Sequence, residues 1–165
     1  MKKLLSLLLI LLLAVSFAAC SDDDDNTTEP EVKVDAWIGT WLSTGTDVAP
    51  LLSTYFNYDS VRVEMKEDNT ITLNTHIKNA SWSTLPGVYS VTKSTSGDVH
   101  TIKINYTAFE QEGIVQIISG TPDQMKLEVI QTVPSTSFVA RTPATGFGSD
   151  AQLGTSNIQI YKKIK

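Results

Sequence analysis

The residues of this 165-residue chain whose types could do chemistry are few: one cysteine, Cys20, two histidines, His76 and His100, and two close carboxylates, Glu110 and Glu112. The histidines sit in "NTHIK" and "VHTIK", among Thr, Lys and Val, and neither has an acid placed to orient its ring. A zinc site needs several Cys, His or carboxylate ligands at characteristic spacings, and no such spacing occurs. A serine hydrolase of the nucleophile-elbow type needs G-x-S-x-G, which is absent. Glu110 and Glu112 are the residue types of a glycosidase pair, but the polar stretch "FEQEG" reads as a solvated turn. No glycine-rich phosphate loop occurs, and no basic patch interleaved with aromatics. The expectation is a protein that is not an enzyme, with no catalytic residue, metal or cofactor and no nucleic-acid partner, its histidines lying on the surface or facing a pore.

Cys20 has a different use. Lys2 and Lys3 precede an apolar run from Leu4 to Leu13 broken only by Ser6, and small residues Ala18 and Ala19 follow. That is the layout of a secretory signal, and the run is shorter than the roughly 20 residues that span a bilayer. "FAAC" resembles a bacterial lipobox. The resemblance implies a signal peptide over residues 1–19 and a diacylglycerol on the Cys20 thiol, which leaves no thiol for a disulfide, metal or nucleophile.

The next residues, Ser21, Asp22, Asp23, Asp24 and Asp25, resemble the acidic export signal of surface lipoproteins in the Bacteroidetes. By charge alone they also form a solvated, self-repelling spacer. Residues 21–35 hold seven acids and one base, net −6, whereas from Ala36 onward eleven acids face ten bases, net −1. Acidity is therefore a property of the tether, residues 20–35, and says nothing of the domain's partner. The implied location is the outer membrane, lipid-anchored and facing the exterior.

Residues 36–165 suffice for one domain with one core. "SVRVEMK" alternates Val61, Val63 and Met65 with Arg62, Glu64 and Lys66, the period of a strand with one wet face. After the turn "EDNT", "TITLNTHIK" resumes the pattern with Ile71, Leu73 and Ile77, so the two segments predict a hairpin. "GVYSVTK", "VHTIKINY", "GIVQIIS", "MKLEVIQTV" and "SNIQIYKK" continue it, and "WIGTWLST" precedes it. Eight strands joined mostly by short turns suit an all-β antiparallel up-and-down barrel, with a sandwich as the alternative. "DVAPLLSTYF" predicts a short helical turn after the first strand, capped by Asp47 with Pro50 in its first turn.

"IGTWLST" separates the two architectures. Gly39, Thr40 and Trp41 resemble the G-x-W signature that opens the first strand of lipocalins and related calycins. The resemblance implies an eight-stranded barrel closed at one end by Trp41, packed on a basic side chain of the last strand, Lys162 or Lys163. The family's T-D-Y motif is missing, the corresponding turn reading "SGTPDQ", and so is its C-terminal helix.

A barrel of this size holds one small ligand when its inward side chains are modest, as Val61, Val63, Leu73, Thr75 and Val129 are. The aromatics Tyr58, Trp82, Tyr89, Tyr106, Phe138 and Phe147 fall near strand ends and loops, where they either line a binding mouth or cap the core. The segment from Val133 to Ser156 lacks strand alternation and is either a lid over one opening or a mobile loop. Two functions follow as expectations: a carrier of a small apolar or amphipathic ligand or a glycan fragment, or a filled barrel that acts as a protein-interaction module or inhibitor. The oligomeric state is not legible.

Overall fold

The structure is a computed structural model and describes residues Val34–Lys165. Cys20 and the aspartates that follow it lie outside the described residues. Eight strands, β1 (Gly39–Thr44), β2 (Tyr58–Met65), β3 (Thr70–Ile77), β4 (Ser83–Thr92), β5 (Val99–Asn105), β6 (Glu110–Ile118), β7 (Gln124–Val133) and β8 (Ile158–Lys163), run antiparallel, each paired with its sequence neighbour. β8 returns to β1, with Trp41 opposite Lys163 and Leu42 opposite Lys162, and closes the barrel. The up-and-down topology expected from the alternation is present, and the sandwich is excluded.

Period-2 patterning sets the interior. Val61, Val63 and Met65 of β2 are buried while Arg62 and Glu64 between them are not. The β2–β3 turn follows from its polar residues: Asn69 takes a left-handed conformation, φ 63°, which Asn tolerates better than most residues. The Asp68 carboxylate accepts from Thr70 N at 3.0 Å and Thr70 Oγ1 at 2.6 Å. Those bonds hold the Asp68 carboxyl below its ordinary pKa.

Several expectations need correction. Asp47 does not cap the helix α1 (Pro50–Tyr55); it lies in a 3-10 turn, Gly45–Asp47, and its carboxylate meets Lys162 Nζ at 2.8 Å across the barrel seam. The N-cap is Ala49, with no side-chain bond, and Pro50 occupies the first turn as its fixed φ favours. "FEQEG" is not a turn: β6 begins at Glu110, whose carboxylate accepts from Asn105 Nδ2 at 3.0 Å, and Glu112 pairs with Lys103 at 2.8 Å. The two acids face outward with Gln111 between them on the inner side, so a polar run satisfies the alternation. β4 begins before Pro86, a residue that ordinarily argues against a strand interior because it cannot donate to the ladder.

Gly113 of β6 lies where two strands approach too closely for a side chain. A Cβ there would sit 1.9 Å from Glu128 O and 2.8 Å from Val129 Cα, both backbone atoms. Gly113→Ala is expected to cost about 3 kcal/mol through overpacking, read by urea unfolding; a loss below about 1 kcal/mol would contradict this packing.

Candidate functional site

The two ends of the barrel differ. At the end where the chain enters, Trp41 is 0 % exposed and its Nε1 donates to Trp37 O at 2.8 Å. Lys163 Nζ stands 5.2 Å from the centre of the Trp41 ring, a cation over an aromatic face. Lys163 is thus the basic partner, while Lys162, one residue off in parity, points away to Asp47. Gly39 makes room: its φ is +136°, and a Cβ would lie 2.6 Å from Lys165 O and 2.8 Å from Lys163 Cε. Trp37, which sequence reasoning left without a role, covers the same end, edge-on to His100 at 5.9 Å and under Lys93 at 5.3 Å. Lys93 in turn pairs with Asp35 at 2.5 Å.

Tyr89 belongs to this closed end and not to a mouth. Its ring is buried, its hydroxyl donates to Lys66 O at 2.9 Å, and burial pushes its pKa up.

Toward the opposite end the interior opens into a cavity of about 460 Å³. All five inward candidates, Val61, Val63, Leu73, Thr75 and Val129, line it, with Met65, Ile102, Ile104, Met125 and Leu127 lower in the barrel. Helix α1 and the residues after it contribute Leu51, Leu52, Phe56 and Tyr58, the last two rings stacked at 5.6 Å. Tyr106 and Phe109, 5.0 Å apart, occupy the wall beside β4, where Gly87 leaves space for the Tyr106 ring. Burial pushes the Tyr106 and Tyr161 phenols well above their ordinary pKa, so both are neutral donors at physiological pH.

Among the described residues, no Asp, Glu, Lys, Arg or His lines this cavity. Its polar side chains are neutral: Thr75, Gln111, Gln131, Thr136, Asn157 and Gln159, besides the tyrosines. Gln159 was missed because polar residues were assigned to the outer face, yet it shares the parity of Tyr161 and faces in. It is 4 % exposed, and its Oε1 accepts from Ala49 N at 2.7 Å. Two buried side-chain atoms lack a partner among the described residues, Ser43 Oγ and Gln159 Nε2; of their residues, only Gln159 lines the cavity.

Of the six aromatics proposed for binding, Tyr58, Tyr106 and Phe138 line the cavity, and Trp82, Tyr89 and Phe147 do not. Trp82 packs on the outer wall, 5.1 Å from the His76 ring and 5.1 Å from the Arg62 guanidinium. Here another expectation fails, because His76 does have an acid: its Nδ1 lies 2.6 Å from Asp59 Oδ1. The bond holds the Asp59 carboxyl below its ordinary pKa, so the carboxylate accepts and the imidazole donates. The pair sits on the outer wall, not in the cavity. His100 accepts at Nδ1 from Ser94 N at 3.3 Å.

The long segment before β8 crosses the open end and then straps down outside β7. Thr136, Phe138 and Leu153 reach the cavity. Further along, Phe147 lies under Lys126 at 4.3 Å, and Gly148 N donates to Glu128 Oε2 at 2.8 Å. This strap explains why the outward residues Ile114 and Glu128 are nonetheless buried. It is pinned by Arg141 and Asp150, 3.4 Å apart with side chains 13 % and 14 % exposed. The Asp150 carboxylate also accepts from Leu153 N at 2.9 Å and Gln152 N at 2.8 Å, and these two bonds, then Arg141, lower its pKa.

Two outcomes follow. Trp41→Ala is expected to cost about 3–5 kcal/mol by opening a buried cavity, and Lys163→Met about 1–2 kcal/mol, against less than about 1 for Lys162→Met; equal losses for the two lysines in urea unfolding would contradict the plug geometry. Because the folded pKa of Asp150 is depressed, its contribution is complete above the unfolded value, about 4, and is lost as pH falls through the folded one. Protection of the amides over 141–153, measured relative to the intrinsic exchange rate at each pH, should therefore fall at acid pH, and Asp150→Asn should show the low protection already at neutral pH.

Compared with protein-family models, curated proteins and solved structures, the chain matches none of them. Its lipocalin-like character rests on the fold itself: a closed eight-stranded up-and-down barrel, a short helix after β1, and a tryptophan on β1 packed against a lysine of β8.

Proposed function

We propose that this chain is a bacterial surface lipoprotein of the Bacteroidetes type whose lipocalin-like barrel binds one small apolar or amphipathic molecule without transforming it. The observation that carries this reading is the interior cavity of about 460 Å³ with its uncharged wall. Small-molecule sites run from about 300 to 1,000 Å³ and are mostly apolar with a few placed polar groups. The protein-interaction reading assumed a filled barrel, and an unfilled interior speaks against it. A glycan fragment is the poorer ligand, since its many hydroxyls would lose water to a wall of Val, Leu, Ile and Met.

In this reading Cys20 carries the lipid, and the tether, at most roughly 50 Å when extended, holds the barrel clear of the outer membrane. The run from Asp22 to Asp25 directs the protein to the outer face.

Native mass spectrometry of the protein released from its own host is expected to show one added small-molecule mass, absent from Val63→Trp, in which the indole occupies the cavity. The mass of the lipidated polypeptide alone for both proteins would contradict the carrier reading. Replacing Asp22 to Asp25 by Ala is expected to protect the protein from protease added to whole cells while folding is unchanged; undiminished cleavage would contradict the export role.

A further inference from the structure

We propose that the open end of the barrel docks reversibly on a lipid surface, so that the ligand passes between bilayer and cavity without crossing water; the transfer, though not the docking, rests on the carrier reading above. Tyr55 and Phe56 beside α1, Ile77 at the end of β3, and Val133 and Val139 where β7 leads into the strap are all exposed, Tyr55 at 77 % and Val139 at 69 %. They come from three separate stretches of chain that reach the same end of the barrel, so apolar side chains face water on several sides of the mouth. Exposed apolar groups gathered in one place mark a surface that something else covers. Phe56 is exposed on the rim and also lines the cavity, so rim and inner wall are continuous.

Charge separates the two ends. The four connections at the mouth, residues 45–57, 78–82, 106–109 and 134–157, hold two acids and two bases, and three of these are in ion pairs, Asp47 with Lys162 and Arg141 with Asp150. The two acids at the mouth ends of strands, Asp59 and Glu110, are engaged by His76 and by Asn105 Nδ2. At the closed end, Asp35, Glu67, Asp68, Asp98 and Asp123 outnumber three lysines. The phosphates of a lipid surface repel such an acidic end, whereas a rim without net charge leaves water at little cost.

The same features favour lipid over a protein partner. A protein seated on the rim would cover the entrance, while a bilayer presents its own apolar interior to it. Tyr55 and Trp82, both exposed at this end, are of the residue types enriched where bilayer meets water. The chain that precedes the barrel offers the rim little: apart from Pro30 and Val32, residues 21–33 are polar or charged. Its reach of at most roughly 50 Å exceeds the length of the longest strands, about 34 Å for the ten residues of β7. A tether that spaces the barrel from its anchor is therefore also long enough to let the barrel turn mouth-down.

The test uses the lipoprotein with its own anchor in phosphatidylcholine–phosphatidylglycerol vesicles that contain a nitroxide lipid. With Cys20 lipidated, Val139→Cys or Ile164→Cys supplies the one free thiol, which takes an environment-sensitive NBD label at the mouth or at the closed end. NBD at 139 is expected to shift to the blue and to be quenched by the nitroxide, NBD at 164 to do neither, and Tyr55→Asp to abolish both changes at 139. Tyr55 does not line the cavity, so dodecane binding, read by the methyl shift of Leu73, is expected to survive that substitution. Quenching at 164, or undiminished quenching at 139 in Tyr55→Asp, would overturn the docking and leave the carrier reading standing. Quenching at neither position would overturn it as well, and energy transfer between labels at 139 would then give the mouth to a second copy of the chain. Docking at 139 without dodecane binding would overturn the transfer and the carrier reading, and the docking alone would stand.

Discussion

Everything in this barrel depends on closure of the sheet between β1 and β8. The registered pairing there is short, Trp41 with Lys163 and Leu42 with Lys162, shorter than at any other seam. It is extended by main-chain bonds beyond the strand ends, Thr40 N to Lys165 O and Ile164 N to Thr40 O, both 2.8 Å. Side chains complete what the ladder leaves thin. The Trp41 ring fills the closed end, the Lys163 ammonium lies over it, and Asp47 ties Lys162 to the first turn after β1. Gly39 is required where the Lys163 side chain passes, so the backbone at the start of β1 and the side chain at the end of β8 specify one another.

A plug at one end is what allows a cavity at the other. Eight strands enclose an interior just wide enough to be filled by side chains. Here the large rings are spent at the ends, Trp37, Trp41 and Tyr89 at the closed one, Phe56, Tyr58, Tyr106 and Phe109 toward the opening. The middle is left to Val, Leu, Ile and Met with the one ring of Tyr161, and space remains. Apart from Lys163 at the plug, the charged groups named here lie on the outer wall and the strap, where Asp59 meets His76, Glu112 meets Lys103 and Arg141 meets Asp150. The interior dielectric is therefore low and its chemistry is that of neutral donors.

Alternation made the inner wall legible. Val61, Val63, Leu73, Thr75 and Val129 could be placed because period 2 leaves a strand residue only two sides to choose from. The G-x-W resemblance located the plug, but the choice between Lys162 and Lys163 needed the β1–β8 register, a long-range fact. Loop aromatics carry no such constraint: Trp82 and Phe147 turned out to pack on the outer wall, over residues whose strands point them outward. The Asp59–His76 pair was invisible for the same reason, since the β2–β3 pairing joins residues 17 apart in the chain. Gln159 escaped because an inward polar residue breaks the very rule that made the rest readable, and such breaks concentrate at functional positions.

In the proposed function the interior, not the outer wall, receives a ligand. Methyl NMR of the protein during titration with dodecane tests it most directly. Shifts are expected at Val61, Leu73, Ile104 and Leu127, which face the cavity, and none at Ile114 beneath the strap or Ile118 on the outside. Shifts confined to the outer residues, or none at all, would contradict it.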